Sequence, residues 1–103
     1  MSKYGLQASE IEAISKVLQA HPEVEQGILY GSRAKGNYKP ASDIDLTLQG
    51  NLLSLHVLQA IETELDDLLL PYKFDISIFH KISNTSLIAH IERIGKVLYS
   101  KKA

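Results

Sequence analysis

Apolar residues recur every three or four positions in three long segments of the chain, a spacing that buries one face of a helix. The first helix opens at the capping-box pattern Ser9-Glu10-Ile11-Glu12. It ends before His21-Pro22, because the residue preceding a proline avoids the helical conformation. The second helix is expected from Ser54 to Leu69. The third is expected from Asn84 to Ile94, with Gly95 as its C-cap.

Three further segments alternate apolar and polar residues, and this spacing predicts strands. They run from Val24 to Tyr30, from Asp43 to Leu48 and from Lys73 to Phe79. A short helix capped by its own first serine is expected from Ser32 to Gly36. A short edge strand is expected from Lys96 to Tyr99.

Acidic residues occupy one face of two of these predicted strands. In the second strand the apolar face consists of Ile44, Leu46 and Leu48, and the other face of Asp43, Asp45 and Thr47. In the third strand the apolar face consists of Phe74, Ile76 and Ile78, and the other of Asp75 and Ser77. The core therefore takes one face of each strand, and the acids take the opposite face.

The order of elements predicts an α/β (α+β) fold, in which helices pack against a small sheet. A chain of 103 residues is long enough for one domain, expected over 1–103, and too short for two. Its formal net charge of −1 provides no general basic field for tracking nucleic acid. The absence of cysteine excludes disulfides and thiol nucleophiles. No apolar run suits a membrane span or a signal peptide, so a cytoplasmic location is the default expectation.

The stretch with the most specific functional pattern reads GSRAKGNYKPASDIDL and begins at Gly31. Gly31 permits a positive φ and a close backbone approach to an anion, while Ser32 adds a hydroxyl. Amides at a turn that enters a helix can donate to phosphate oxygens. Asp43 and Asp45 are two positions apart, so on a strand both carboxylates point to one face, as magnesium bound to a nucleotide requires. The stretch predicts a site where a phosphate tail and divalent ions meet.

These residues resemble the hallmark of the minimal nucleotidyltransferases (MNT) of the DNA polymerase β superfamily. That hallmark is a Gly-Ser pair, a spaced Asp-x-Asp and a third acid on a later strand. Asp75, in KFDISIF, fits the position of the third acid. The resemblance implies a nucleotidyltransferase fold with a mixed sheet. It also implies transfer of a nucleoside monophosphate, expected to be AMP from ATP, to an acceptor hydroxyl.

Such a transfer suits two divalent ions, expected to be Mg²⁺, because they can clamp both the attacking and the leaving oxygen. Asp43 and Asp45 would bridge the two ions from one strand face. Asp75, from a neighbouring strand, would complete the coordination of the ion nearest the acceptor hydroxyl. It could also act as a general base and remove the proton of that hydroxyl. Whether the two strands are neighbours is not visible in the sequence.

The phosphate tail is expected to lie against Ser32 and the backbone after Gly31. Arg33 or Lys35 would neutralise the departing pyrophosphate, and a solvated cation on a short helix is an equally open alternative for both. The histidines show no spacing typical of a zinc site or a Ser/His/Asp site, so structural roles are expected for them. His80 is the histidine nearest the metal-binding strands in the chain, but alternation turns it away from the third acid.

MNT proteins often pair with a separate helical HEPN protein, and many such pairs behave as toxin and antitoxin. Relatives that modify antibiotics usually carry a further substrate-binding domain. The sequence continues beyond Gly95 as KVLYSKKA, so such a domain is not expected. The resemblance therefore favours a separate helical partner that supplies or holds the acceptor hydroxyl.

Three alternatives remain at this point. The chain could be a nucleotide-binding module without turnover, which neutralises a helical partner by covering it. It could instead modify a small molecule such as an antibiotic. A polymerase fragment that grips extended nucleic acid is disfavoured by the charge of −1.

Overall fold

The computed structural model describes residues 2–102 as a sheet with helices on both faces. The strands are β1 (Ser2–Lys3), β2 (Leu6–Gln7), β3 (Gln26–Tyr30), β4 (Ile44–Gln49), β5 (Phe74–Ile78) and β6 (Lys96–Ser100). The helices are α1 (Ala8–Gln19), α2 (Gly31–Lys35), α3 (Leu55–Asp66) and α4 (Thr85–Ile94). A single 3₁₀ turn, Phe79–Lys81, follows β5. No helix among residues 2–102 is long and apolar enough to cross a bilayer.

The main sheet has four strands in the order β5-β4-β3-β6. The two pairings made by β3 are antiparallel, whereas β4 and β5 are parallel and are connected through α3. The mixed sheet implied by the family resemblance is therefore confirmed, as is the predicted α/β (α+β) fold. The predicted edge strand is also confirmed, since β6 pairs with β3 at one side of the sheet.

One face of the sheet carries the hydrophobic core. Leu29, Leu46 and Ile76 project from three neighbouring strands into a cluster formed with α1 and α3. The two helices contribute Ile14, Leu18, Ile61 and Leu65, all completely buried. Helix α4 packs on the opposite face, where a Cβ on Gly95 would press against Ile28 of β3.

Several local expectations differ from the structure. The capping box at α1 is formed by Gln7 and Glu10, not by Ser9 and Glu12, so the helix begins two residues earlier than this pattern predicts. Ser32 does not cap α2, which starts at Gly31 after an N-cap residue without a side-chain hydrogen bond. Helix α3 stops at Asp66, because the chain turns there and Leu69 adopts a positive φ of 56°.

A hairpin at the N-terminus was not predicted. Strands β1 and β2 are joined by Tyr4 and Gly5, both at positive φ, which is the geometry of a tight hairpin turn. A Cβ on Gly5 would collide with Tyr38 and Arg33, so the hairpin turn lies directly against the loop after α2. The strands have two residues each and are too short to produce a recognisable alternation.

Candidate active site

Two acids from neighbouring strands meet on the face opposite the core. Asp45 of β4 and Asp75 of β5 are direct partners in the parallel register, and Thr47 and Ser77 are the next partners on the same face. Asp45 is partly buried, whereas Asp75 is exposed. Adjacent strands lie about 4.8 Å apart, so the sheet itself holds the two carboxylates side by side. Strands β4 and β5 are thus adjacent in the sheet, which the sequence could not show.

Asp45 is the electrostatic centre of this group. Its pKa is raised first by burial and then by the negative charges of Asp75 and Asp43. Asp43 lies immediately before β4 and is exposed. Three carboxylates therefore repel one another around a position where the ionised form of Asp45 is already disfavoured.

The donor set fits a hard divalent cation in its chemistry. Carboxylate oxygens are the ligands that Mg²⁺ prefers, and a cation would offset the repulsion that raises the pKa of Asp45. Across residues 2–102, however, no three side chains of the His, Cys, Asp and Glu types converge closely enough to form a finished metal site. The acids lie on one side of the sheet and repel one another, but their side chains do not converge on one point.

The glycine turn after β3 lies against the same acids. Gly31 has a φ of +73°, and a Cβ at this position would overlap the carboxylate of Asp45. Only glycine lets the backbone pass this close to the carboxylate. The structure thus brings together Gly31 and Asp45, the two ends of the motif found in the sequence. Ser32 follows in the first turn of α2 and is partly buried.

His90 belongs to the site, although the sequence pattern assigned no histidine to it. The backbone N–H of Gly31 donates a hydrogen bond to His90 Nε2 at 3.2 Å. The imidazole also meets the ring of Tyr30 edge-on, with 6.1 Å between the ring centroids. One signal was present: His90 shares the apolar face of its helix with Leu87, Ile91 and Ile94, at helical spacing. His80, by contrast, is exposed in the 3₁₀ turn.

Arg33 has a different environment from the one expected. It is 1% exposed, so the alternative of a solvated cation is wrong for this residue. Its guanidinium donates to the backbone carbonyls of Tyr4, Pro40 and Ser42 at 2.8–3.2 Å. Its charge also lies 4.8 Å from the ring centroid of Tyr72. Arg33 joins α2 to the hairpin turn and to the loop leading into β4.

Lys35 of α2 is exposed, unlike Arg33 of the same helix. It lies in the last turn of α2, which ends at Gly36 in the left-handed conformation. The roles predicted for Lys35 and Arg33 in neutralising pyrophosphate remain predictions. Their surroundings differ sharply, since Arg33 is engaged with carbonyl groups and Lys35 extends into solvent.

A layer of hydroxyl groups lies beside the acids. The hydroxyl of Ser77 donates to Thr47 Oγ1 at 2.9 Å, and Thr47 is completely buried. Burial raises the pKa of the Tyr30 phenol, a hydrogen bond with Ser77 lowers it, and the charges of Asp75 and Asp45 raise it. Tyr30 is therefore a neutral phenol at physiological pH, which adds no further negative charge to the acidic face.

Comparison with known proteins agrees with this geometry. The family model described as polymerase beta, nucleotidyltransferase matches residues 12–103. A structure described as a toxin-antitoxin with AMP-PNP is 23% identical, with a TM-score of 0.73 over 89% of this chain and 74% of that one. A tri-AMPylated Shewanella oneidensis HEPN toxin in complex with MNT antitoxin gives 21% identity and a TM-score of 0.70, over 93% and 74% of the two chains.

A third similar structure, of the toxin-antitoxin MntA-HepT, is 22% identical, with a TM-score of 0.68 over 92% of this chain and 74% of that chain. At these identities the structural matches establish the fold. No curated protein sequence matches the chain.

Proposed function

The chain belongs to the polymerase β nucleotidyltransferase family, and from this membership we propose that it transfers AMP from ATP to a hydroxyl group. The observation that carries the proposal is the register of β4 and β5, which pairs Asp45 with Asp75 on the face beside Gly31. Two carboxylates held side by side next to a glycine turn suit a site where a triphosphate is bound and cleaved.

In the proposed reaction, the acceptor oxygen forms a bond to the α-phosphorus while the bond from that phosphorus to the bridging oxygen breaks. Pyrophosphate leaves with the electrons of that bond, and the acceptor loses its proton. Asp75 is the exposed acid of the pair and would accept this proton. Asp45, partly buried between the other acids, would serve the nucleotide side of the site.

Asp43, Asp45 and Asp75 would hold the divalent ions, which we propose to be two Mg²⁺. When bound, the ions would supply positive charge against the phosphate oxygens and against the mutual repulsion of the three acids. Gly31 and Ser32 would position the phosphate tail, and the exposed Lys35 would attract it. Arg33 would support the loop before β4 through its bonds to Pro40 and Ser42.

The acceptor hydroxyl is proposed to lie on a separate HEPN-like helical protein, or on a ligand that this protein holds. Two of the similar structures support this choice, since one is a toxin-antitoxin with AMP-PNP and another contains a tri-AMPylated HEPN toxin with its MNT antitoxin. On this proposal the chain acts as the antitoxin of a two-protein pair and modifies its partner.

The decisive experiment replaces Asp75 by Asn and follows transfer of label from α-phosphate-labelled ATP to a co-purified helical partner. We expect binding of ATP with magnesium to be largely retained, and turnover to fall by about 100-fold or more, the usual contribution of a general base. Asp66→Asn is the matched control, because Asp66 is an exposed acid at the end of α3. Equal turnover in wild type and Asp75→Asn would contradict the assignment.

A second candidate function is binding without turnover. It is favoured by the absence, within the described part of the chain, of three converging metal-binding side chains. Transfer of label from α-phosphate-labelled ATP to the partner separates the two candidates. A wild-type chain that covers its partner with full affinity, and binds ATP with magnesium in calorimetry, yet transfers no label would be a non-catalytic antitoxin.

A further inference from the structure

We propose that His90 is a positioning residue that holds the glycine turn in the conformation needed for nucleotide binding. This inference rests on the proposed nucleotide transfer and adds a member of the site from α4, 59 residues away from the turn along the chain. His90 acts through Gly31, and we assign it no contact with the substrate.

The turn needs an external support. Helix α2 has five residues and begins directly after β3, and its N-cap residue, Tyr30, provides no side-chain hydrogen bond. The first N–H groups of a helix have no partner within the helix, so they require one from elsewhere. His90 Nε2 supplies that partner to Gly31 at 3.2 Å. A distant imidazole thus satisfies one of the N–H groups at the start of α2, where the N-cap residue itself provides no side-chain acceptor.

The position of Gly31 explains why this support matters. Its φ of +73° places the backbone against the carboxylate of Asp45. Glycine gives up more conformational freedom than other residues when it is fixed, so a turn built on it is easily displaced. The hydrogen bond to His90 fixes the direction of this N–H, towards α4.

The imidazole is itself well oriented. His90 meets Tyr30 edge-on at an interplanar angle of 79°, and the next residue, Ile91, is 3% exposed. Because Nε2 accepts a hydrogen bond from Gly31, it must carry a lone pair, which places the ring proton on Nδ1 in the neutral form. The bonded N–H of Gly31 is then not a phosphate donor, and the phosphate tail must use the groups that follow it in the turn.

The test compares His90→Leu, which has no acceptor, with His90→Gln, whose carbonyl oxygen can reach a similar position. His56→Leu is the matched control, because His56 is exposed on α3 and lies on another element. Thermal melts of each variant verify that it is folded. In ¹⁵N NMR of the nucleotide-free protein we expect the Gly31 amide signal to move in His90→Leu and to return towards its wild-type position in His90→Gln.

Functionally, His90→Leu should raise the KM for ATP by about 2- to 12-fold, the range expected for one net hydrogen bond, with a smaller change in kcat. His90→Gln should recover most of this loss, and His56→Leu should behave as wild type. Equal losses in the Leu and Gln variants, or an unmoved Gly31 signal, would overturn the role of His90. Failure of the wild type to bind ATP with magnesium would instead overturn the proposed function and, with it, the role of His90.

Discussion

The two faces of the same sheet have opposite properties. On one face, Leu29 and Leu46 are completely buried beneath α1 and α3. On the other face, the adjoining positions of the same strands are Tyr30 and Asp45, which lie beside the exposed Asp75. Successive residues of one strand thus point alternately into the apolar core and towards the cluster of acidic side chains.

This difference separates stability from chemistry. The apolar face removes hydrocarbon from water, which is the main favourable contribution to folding. The acidic face opposes folding, because burial and neighbouring negative charges raise the pKa of Asp45. A small domain can maintain this unfavourable arrangement because the opposite side of the same strands anchors it. Substitutions on the two faces should therefore change different measured quantities.

The largest effect is expected when two acids of the acidic face are neutralised together. Asp43→Asn with Asp45→Asn should lower AMP transfer by far more than about 100-fold, since these side chains are proposed to hold the metal ions. The melting temperature of the apo protein should hold or rise, because like-charge repulsion is relieved. Transfer assays and thermal melts measure the two outcomes. Wild-type transfer by the double variant would remove both residues from the site.

The reverse pattern is expected on the apolar face. Leu46→Ala should lower the free energy of unfolding by about 2–5 kcal/mol, the usual range for truncating a buried leucine. Urea denaturation measures the loss, and Val97→Ala serves as control because Val97 is 55% exposed. ATP affinity of the folded fraction should remain close to wild type. A selective loss of ATP affinity without destabilisation would show that the two faces are not separable.

A smaller effect is expected at the junction between the faces. Gly31→Ala should lower stability by about 1–2 kcal/mol for the positive φ alone, and by more where its Cβ meets Asp45. Gly36→Ala is the matched control, since Gly36 also has a positive φ, of 91°, but its Cβ would meet open space. Calorimetry should show weaker ATP binding only for Gly31→Ala. Equal behaviour of both variants would indicate that the contact with Asp45 is unimportant.

The smallest effect concerns pH and apo stability. The raised pKa of Asp45 means that the folded state holds its proton more tightly than the unfolded state. The Asp45 carboxylate does not destabilise the folded state at pH values below the ordinary carboxyl pKa. The destabilisation develops as pH rises from the ordinary pKa to the raised pKa, and it is complete above the raised pKa. Asp45→Asn should therefore be more stable than wild type at neutral pH, and the advantage should shrink as pH falls. Urea denaturation at several pH values measures the free energies of unfolding of wild type and Asp45→Asn. A difference between them that does not change with pH would contradict this account.

The sequence was sufficient for the strands that carry the acids, because period-two alternation separated Asp45 and Asp75 from their apolar neighbours. It could not show that β4 and β5 are adjacent, since strand order depends on contacts between distant segments. The burial of Arg33 was missed for a similar reason. Its carbonyl partners belong to Tyr4, Pro40 and Ser42, which come together only when the hairpin and the loop have folded.

His90 was missed because its partner is a backbone amide, and no side-chain pattern reports which amides need a partner. Its place on the apolar stripe of α4 indicated burial, and burial alone is usually structural. The corrected capping box at Gln7 has another cause, because Ser9 followed by Glu12 has the same spacing as the pair that forms it. Local propensity could not choose between two overlapping patterns that are offset by two residues.

The strand order also has a consequence for heat inactivation. Asp45 stands on the interior strand β4, whereas Asp75 stands on β5, which has a neighbour on one side only. An edge strand can detach in a partial opening that costs less free energy than complete unfolding. On warming, AMP transfer should therefore decline before the core melts, and amide protons of β5 should exchange with deuterium faster than those of β4. The proposed proton acceptor would then be the first part of the site to be lost, while the nucleotide side stays folded.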